Sequence, residues 1–216
     1  MYNFFRSLTS LRSLSNKGFT LIEMIIAVSI FVGLTTTLLF NYNGFNKRLS
    51  LDTLAHQIAQ WARDAQVSAM SVRRASTDAG KFPGYGLHFE RATPTEFIFF
   101  ADLDGDKRYT PPGAGVNCGD PLTECEKIIK ILQGNKIEKL CGESSAVVAV
   151  SADCGSFDNA DDFDIVFTRP NPDAEIRGEY APSSPTSYAR AEISVVSPLE
   201  HRRTIEVWTT GQISVQ

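Results

Sequence analysis

Histidine, tryptophan and methionine are scarce in this 216-residue sequence, with three, two and three copies. His56, His88 and His201 fall on segments far apart in the chain, a spread that supports neither a metal cluster nor a catalytic pair. No GxSxG nucleophile turn, HExxH pair or phosphate-cradling glycine loop occurs, and sequence alone sorts the 25 acidic residues into no catalytic dyad. An enzyme is therefore not expected. Strong charge of either sign is missing too: a formal net charge of −4 and a pI near 5.4 give no overall pull toward nucleic acid. With 43% hydrophobic and 21% charged residues, disorder throughout is excluded. No internal repeat stands out, and the length suits one sizeable domain with an appendage.

The most informative absence is local. From Phe19 to Phe40 the chain reads FTLIEMIIAVSIFVGLTTTLLF, and Glu23 is its one charged residue. As a helix this run covers about 33 Å, close to the hydrocarbon thickness of a bilayer. Acidic residues are absent before Glu23, whereas Arg6, Arg12 and Lys17 precede the run. The positive-inside rule then keeps the N-terminus cytoplasmic and exports the remainder. A secretory signal fits less well, because the run exceeds the usual apolar core and no small-x-small pattern follows. Residues 1–18 read as a polar leader and 19–40 as a transmembrane helix. A carboxylate at the centre of such a helix costs about 2.5–3.5 kcal/mol, and less near the interface, so Glu23 calls for a partner. Cleavage between Gly18 and Phe19 would supply one, an α-amine able to neutralise Glu23 of a neighbouring subunit.

The stretch KGFTLIEMIIAVSIFVGL closely resembles the prepilin processing motif of type IV pilins and type II secretion pseudopilins. The resemblance implies that an aspartyl prepilin peptidase cuts after Gly18 and methylates the new terminus, Phe19. It makes Glu23 the assembly glutamate. It also implies other pilins or pseudopilins as partners in a hetero-oligomeric filament. The precursor would cross the inner (cytoplasmic) membrane once, with its head in the periplasm or outside the cell.

Beyond Asn41, Asn43 and Asn46, with a bend expected at Gly44, the helical rhythm returns. Leu51, Leu54, Ala55, Ile58, Trp61, Ala62, Ala65, Ala69 and Val72 recur at three- and four-residue intervals. Residues 41–78 are read as an amphipathic continuation of the helix, ending between Ala75 and Gly80. From 82 to 216 short runs rich in β-formers alternate with Gly, Pro, Asn and Asp. Candidate strands are 85–90, 96–101, 127–132, 146–150, 162–168, 189–196, 202–209 and 212–215, with long loops at 110–126, 151–161 and 170–186. The expected fold class is α+β, a long helix packed on an antiparallel β-rich head, pilin-like. Tyr-Gly-Leu, then Phe-Ile-Phe-Phe-Ala-Asp-Leu-Asp-Gly-Asp, then Ile-Glu-Val-Trp-Thr-Thr-Gly-Gln-Ile resemble the order of features in H-type minor pseudopilins and related minor pilins. The cysteine-bearing insertions depart from that pattern.

Three further constellations are candidates for chemistry. Asp102, Asp104 and Asp106 alternate as at the opening of a calcium loop, but the later ligands of an EF-hand are missing, and a plain Asp-Gly turn is the preferred reading. Cys118, Cys125, Cys141 and Cys154 all lie in the exported head, where an even count favours disulfides. Three pairings are open, and proximity in sequence favours Cys118–Cys125 with Cys141–Cys154. Zinc lacks the paired spacing it needs. Arg190, His201, Arg202 and Arg203 form a small basic cluster with Glu200 and Glu206 close by, a candidate DNA contact or a solvated strand end. The expected function is a minor pilin or pseudopilin subunit; the alternative is a pilus-displayed binding module for DNA uptake or adhesion.

Overall fold

Leu21–Met70 forms one helix, α1, continuous in its backbone through Gly44. The computed structural model describes residues 18–75, 80, 82–143, 154, 158–179 and 186–216. Residues 1–17 of the expected leader 1–18, and the expected strand 146–150, lie outside these. The chain divides into two compact units, Met1–Asn43 and Gly44–Gln216.

In the first unit α1 is apolar on every side. Leu21, Ile22, Ile25, Ile26, Val28, Ile30, Phe31, Leu34 and Leu38 are all more than half exposed. A helix hydrophobic all round, with no protein covering it, suits lipid or other helices better than water. Its hydroxyls are satisfied within the helix itself: Ser29, Thr36 and Thr37 donate to the carbonyls of Ile25, Val32 and Gly33. These three hydroxyls need no partner from a surrounding membrane.

In the second unit α1 buries a stripe made mostly of alanine, with Leu51, Leu54, Ala55, Ile58, Ala59, Ala62, Ala65 and Ala69 at most 6% exposed. These small side chains share one core with large ones from the sheets, among them Tyr85, Leu87, Phe89, Phe97, Phe99, Phe163, Ile165 and Phe167. Small against large lets helix and sheet interdigitate at native density. Trp61 sits at the edge of this core, its ring 5.5 Å from that of Phe99.

The helix closes at Met70, short of the expected end near residue 78. Val72 takes a left-handed conformation with φ 58°, and Arg73 N–H reaches back to the Ser68 carbonyl at 3.4 Å. That is a Schellman-type stop, with a β-branched residue where glycine is usual. Val72 therefore leaves the buried stripe to which its spacing seemed to assign it, and is 49% exposed.

Among the described residues eleven strands follow: β1 (Gly84–Glu90), β2 (Glu96–Asp102), β3 (Cys125–Lys130), β4 (Lys136–Glu143), β5 (Asp158–Asn159), β6 (Asp162–Phe167), β7 (Ala174–Glu179), β8 (Thr186–Tyr188), β9 (Arg190–Val196), β10 (Arg202–Trp208) and β11 (Ile213–Val215). They form two antiparallel sheets, ordered β3-β2-β1-β6-β7-β8 and β11-β10-β9-β4-β5. The architecture is α+β and pilin-like. The stretch 170–186, expected as a loop, holds β7, and β4 falls where no strand was expected. The turn joining β10 to β11 is closed by Gly211, at φ 79°, with Trp208 N–H donating to the Gln212 carbonyl at 2.9 Å.

The two sheets meet where β8 crosses to β4. Ala189 N–H donates to the Glu143 carbonyl at 2.8 Å, and the Tyr188 ring lies directly on Gly142. A Cβ at position 142 would lie less than 3.0 Å from the Tyr188 Cδ1 atom, a contact that real Cβ atoms essentially never make. Glycine there is a steric requirement.

Candidate functional site

The helix start is built from four residues. Thr20 precedes the first helical residue, and its hydroxyl accepts from the Glu23 backbone N–H at 3.3 Å. Its carbonyl accepts from Met24 N–H at 3.2 Å, opening the helical ladder. Thr20-Leu21-Ile22-Glu23 thus has the Thr-x-x-Glu pattern of a capping box, with a carboxylate in the first turn where the helix dipole favours negative charge. The sequence reading missed this second role of the Thr–Glu spacing, which the pattern alone was enough to reveal. Gly18 and Phe19 lie in an exposed, non-helical segment ahead of the cap. The scissile position expected between them is open, with nothing within 4 Å of where a Gly18 side chain would begin. Glu23 is exposed and forms no ion pair among the described residues.

The prokaryotic N-terminal methylation motif matches residues 14–32, which run from the basic leader through Gly18, Phe19 and Glu23 into α1. This is the signature of type IV pilins, and here it stands at the head of a long apolar helix followed by antiparallel sheets. The motif marks a family of structural subunits that a prepilin peptidase processes and that assemble with other pilins. Neither the curated proteins nor the solved structures contain a match to the chain.

The aspartate loop follows β2. Carboxylate oxygens of Asp102, Asp104 and Asp106 come within 4.8 Å of one another. Each is already engaged. Asp102 accepts from Gly105 N–H at 2.8 Å and lies 3.4 Å from the Lys107 ammonium; Asp104 accepts from Asp106 N–H; Asp106 accepts from Arg108 N–H. Burial raises the Asp102 carboxyl above its ordinary range. Behind the loop, Glu124 is 6% exposed and accepts from Leu103 N–H at 3.0 Å and Thr110 N–H at 2.8 Å. Burial pushes the Glu124 carboxyl up to about 7, against the opposing pull of those two donors.

Arg108 anchors the far side of the loop. Its guanidinium lies 3.0 Å from Glu179, 3.6 Å from Asp162 and 3.7 Å from the buried Asp164, which in turn holds His88 Nδ1 at 2.8 Å. The Tyr109 ring packs on His88 at 4.8 Å. His88 is therefore part of a partly buried polar network centred on the buried Asp164. His88 alternates with the buried Leu87 and Phe89 along β1, and its contact with Asp164 comes from the neighbouring strand β6.

Cys118 is bonded to Cys125, and Cys141 to Cys154. The first bridge closes the loop leading into β3; the second ties β4 to the segment before β5. The basic cluster is neutralised residue by residue: Arg190 lies against Glu143 and Glu206, Arg202 against Glu138, and Arg203 against Asp52. His201 Nε2 is 3.0 Å from Arg48 Nε. These cations are occupied by carboxylates and leave little positive surface for phosphates.

Proposed function

We propose that this chain is a minor pilin or pseudopilin. It enters the inner membrane as a precursor, is cut after Gly18 by a prepilin peptidase, is methylated at Phe19 and joins a filament of other pilins through α1. The observation that carries this reading is the methylation motif at 14–32 running directly into a helix whose apolar residues are exposed all round. Such a surface is stable in lipid and equally stable against neighbouring helices of the same kind. Transfer from bilayer to filament then exchanges one apolar environment for another.

Glu23 supplies the register. In a filament core its charge is tolerable only when the Phe19 ammonium of an adjacent subunit lies opposite, so mismatched subunits carry an uncompensated charge. A large head with long insertions favours a minor subunit over a plain repeating one, and the order of its strand motifs favours the H-type, from which the disulfide-bearing insertions depart. Intact mass and N-terminal sequencing of the chain co-expressed with a prepilin peptidase should give a mature protein beginning at Phe19 and bearing one extra methyl group. Glu23→Ala should still be processed but should drop out of filaments. A mature chain beginning elsewhere, or normal filament entry by Glu23→Ala, overturns the reading.

A further inference from the structure

One end of the head is both apolar and cationic. The turn joining β3 to β4 displays Leu132, 71% exposed, and the turn joining β9 to β10 displays Leu199, 50% exposed. Left-handed residues Gln133, Gly134 and Glu200 shape these turns. The two turns abut, since a Cβ on Gly134 would lie 3.0 Å from Pro198 Cγ. The beginning of the head's share of α1 is held against them: Lys47 donates to the Gln133 carbonyl at 3.1 Å, and Asn135 donates to the Ser50 hydroxyl at 2.8 Å. Phe45 and Leu49, one helical turn apart, are 65% and 53% exposed. Leu49 and Leu132 line the same open groove of about 420 Å³ together with Lys130.

Charge at this end runs against the rest of the protein. Residues 45–53, 130–138 and 196–203 contain Lys47, Arg48, Lys130, Lys136, Arg202 and Arg203 against Asp52, Glu138 and Glu200. The adjoining β1–β2 turn adds Arg91, Glu90 and Glu96, so the end stays cationic in a chain of net charge −4. Lys47, Lys130 and Lys136 form no ion pair among the described residues. Phe45 follows Phe40, where the apolar run stops, within five residues. Backbone length alone then keeps Phe45 within about 18 Å of that point for every arrangement of the two units.

We propose that this end of the head is a docking surface for an anionic lipid bilayer, with Leu132 and Leu199 entering the interface and the lysines meeting headgroup phosphates. Exposed leucines beside lysines free of ion pairs are the chemistry by which peripheral surfaces hold acidic membranes. The proposal rests on residues 19–40 being a membrane anchor. Before filament entry the head would lie on the membrane rather than swing free above it.

The test uses the full chain reconstituted into vesicles of phosphatidylcholine alone or mixed with phosphatidylglycerol, read by backbone hydrogen exchange. In the mixed vesicles the Leu132, Gln133 and Leu199 amides should slow by roughly five-fold. Salt at about 1 M, where the Debye length is about 3 Å, should remove the protection. The Gly105 turn, at the other end of the β1–β2 hairpin, should not respond. Leu132→Ser with Leu199→Ser should abolish the protection without lowering the melting temperature, since both side chains are exposed. Equal exchange in both vesicle types overturns the proposal. Protection that follows protein-to-lipid ratio instead of lipid charge also overturns it, by assigning the surface to a second copy. Flotation with vesicles separates the two readings: a chain that floats without turn protection refutes docking alone, and one that fails to float refutes the anchor as well.

Discussion

The Glu124 carboxylate accepts the Thr110 backbone N–H at 2.8 Å, a contact that joins the end of the aspartate loop to the residue just before β3. The same carboxylate holds Leu103, so one buried side chain closes both ends of the loop.

Glu124 makes the stability of the head depend on pH. Its folded pKa is about 7, raised by burial from an ordinary carboxylate value near 4.5. The folded state therefore binds more protons than the unfolded state between those values, and stability falls as pH rises through that window. Below about pH 4.5 the contribution is fully present; above about pH 7 it is gone. Melting curves of Glu124→Gln should lose this component of the slope, while acid-side losses from other carboxylates remain. An unchanged pH profile would show that Glu124 ionises normally in the fold.

Gly142→Ala should destabilise the head by about 1–3 kcal/mol, the usual cost of forcing an extra carbon into a packed site. Denaturant melts of Gly142→Ala, Tyr188→Ala and the double variant form a cycle. The double variant should be less damaged than the sum of the singles, because removing the ring makes room for the methyl group. Strict additivity would mean that ring and glycine do not touch.

Each disulfide closes a short loop, with sequence separations of 7 and 13. The chain-entropy account gives about 3 kcal/mol for a loop of some 15 residues and somewhat less for a shorter one. Cys141→Ser with Cys154→Ser should therefore lower the midpoint of denaturation more than Cys118→Ser with Cys125→Ser. Both cysteines of the longer loop are buried, which adds to the loss.

The aspartate loop offers a test of calcium against the ammonium already beside it. Lys107 neutralises Asp102 in the cation-free loop, so millimolar calcium, the range of extracellular modules, should shift the wild-type melting temperature little. Lys107→Ala should lose stability without calcium and regain part of it when calcium is added. A large wild-type shift abolished by Asp104→Ala would instead make the loop a calcium site in the native protein.

Much of this was legible in the sequence because it depends on local order. The leader, the apolar run and the Gly-Phe-Thr-Leu-Ile-Glu string are contiguous, and the alanine stripe of α1 has simple helical spacing. Most strands were legible for the same reason. β4 was not, because its pairing with β9 shifts register between Ile137 and Lys139 and breaks the two-residue alternation. β7 was hidden because two of its three buried positions are Ala174 and Gly178, too small to register as a hydrophobic run. The helix end was misplaced because Val72 occupies a backbone conformation that its side chain disfavours. The network of Arg108, Asp162, Asp164, Glu179 and His88 joins four separate segments, and no window along the chain contains it.

The central pairing of β1 with β6 brings Glu90 opposite Asp162, and both disulfides lie in the interval between them. Closing so long an interval is entropically slow, and each bridge formed beforehand shortens the free chain that has to be gathered. Bridges formed early would therefore speed the joining of β1 to β6, and refolding of the reduced head should be slower at that step as well as ending in a less stable fold.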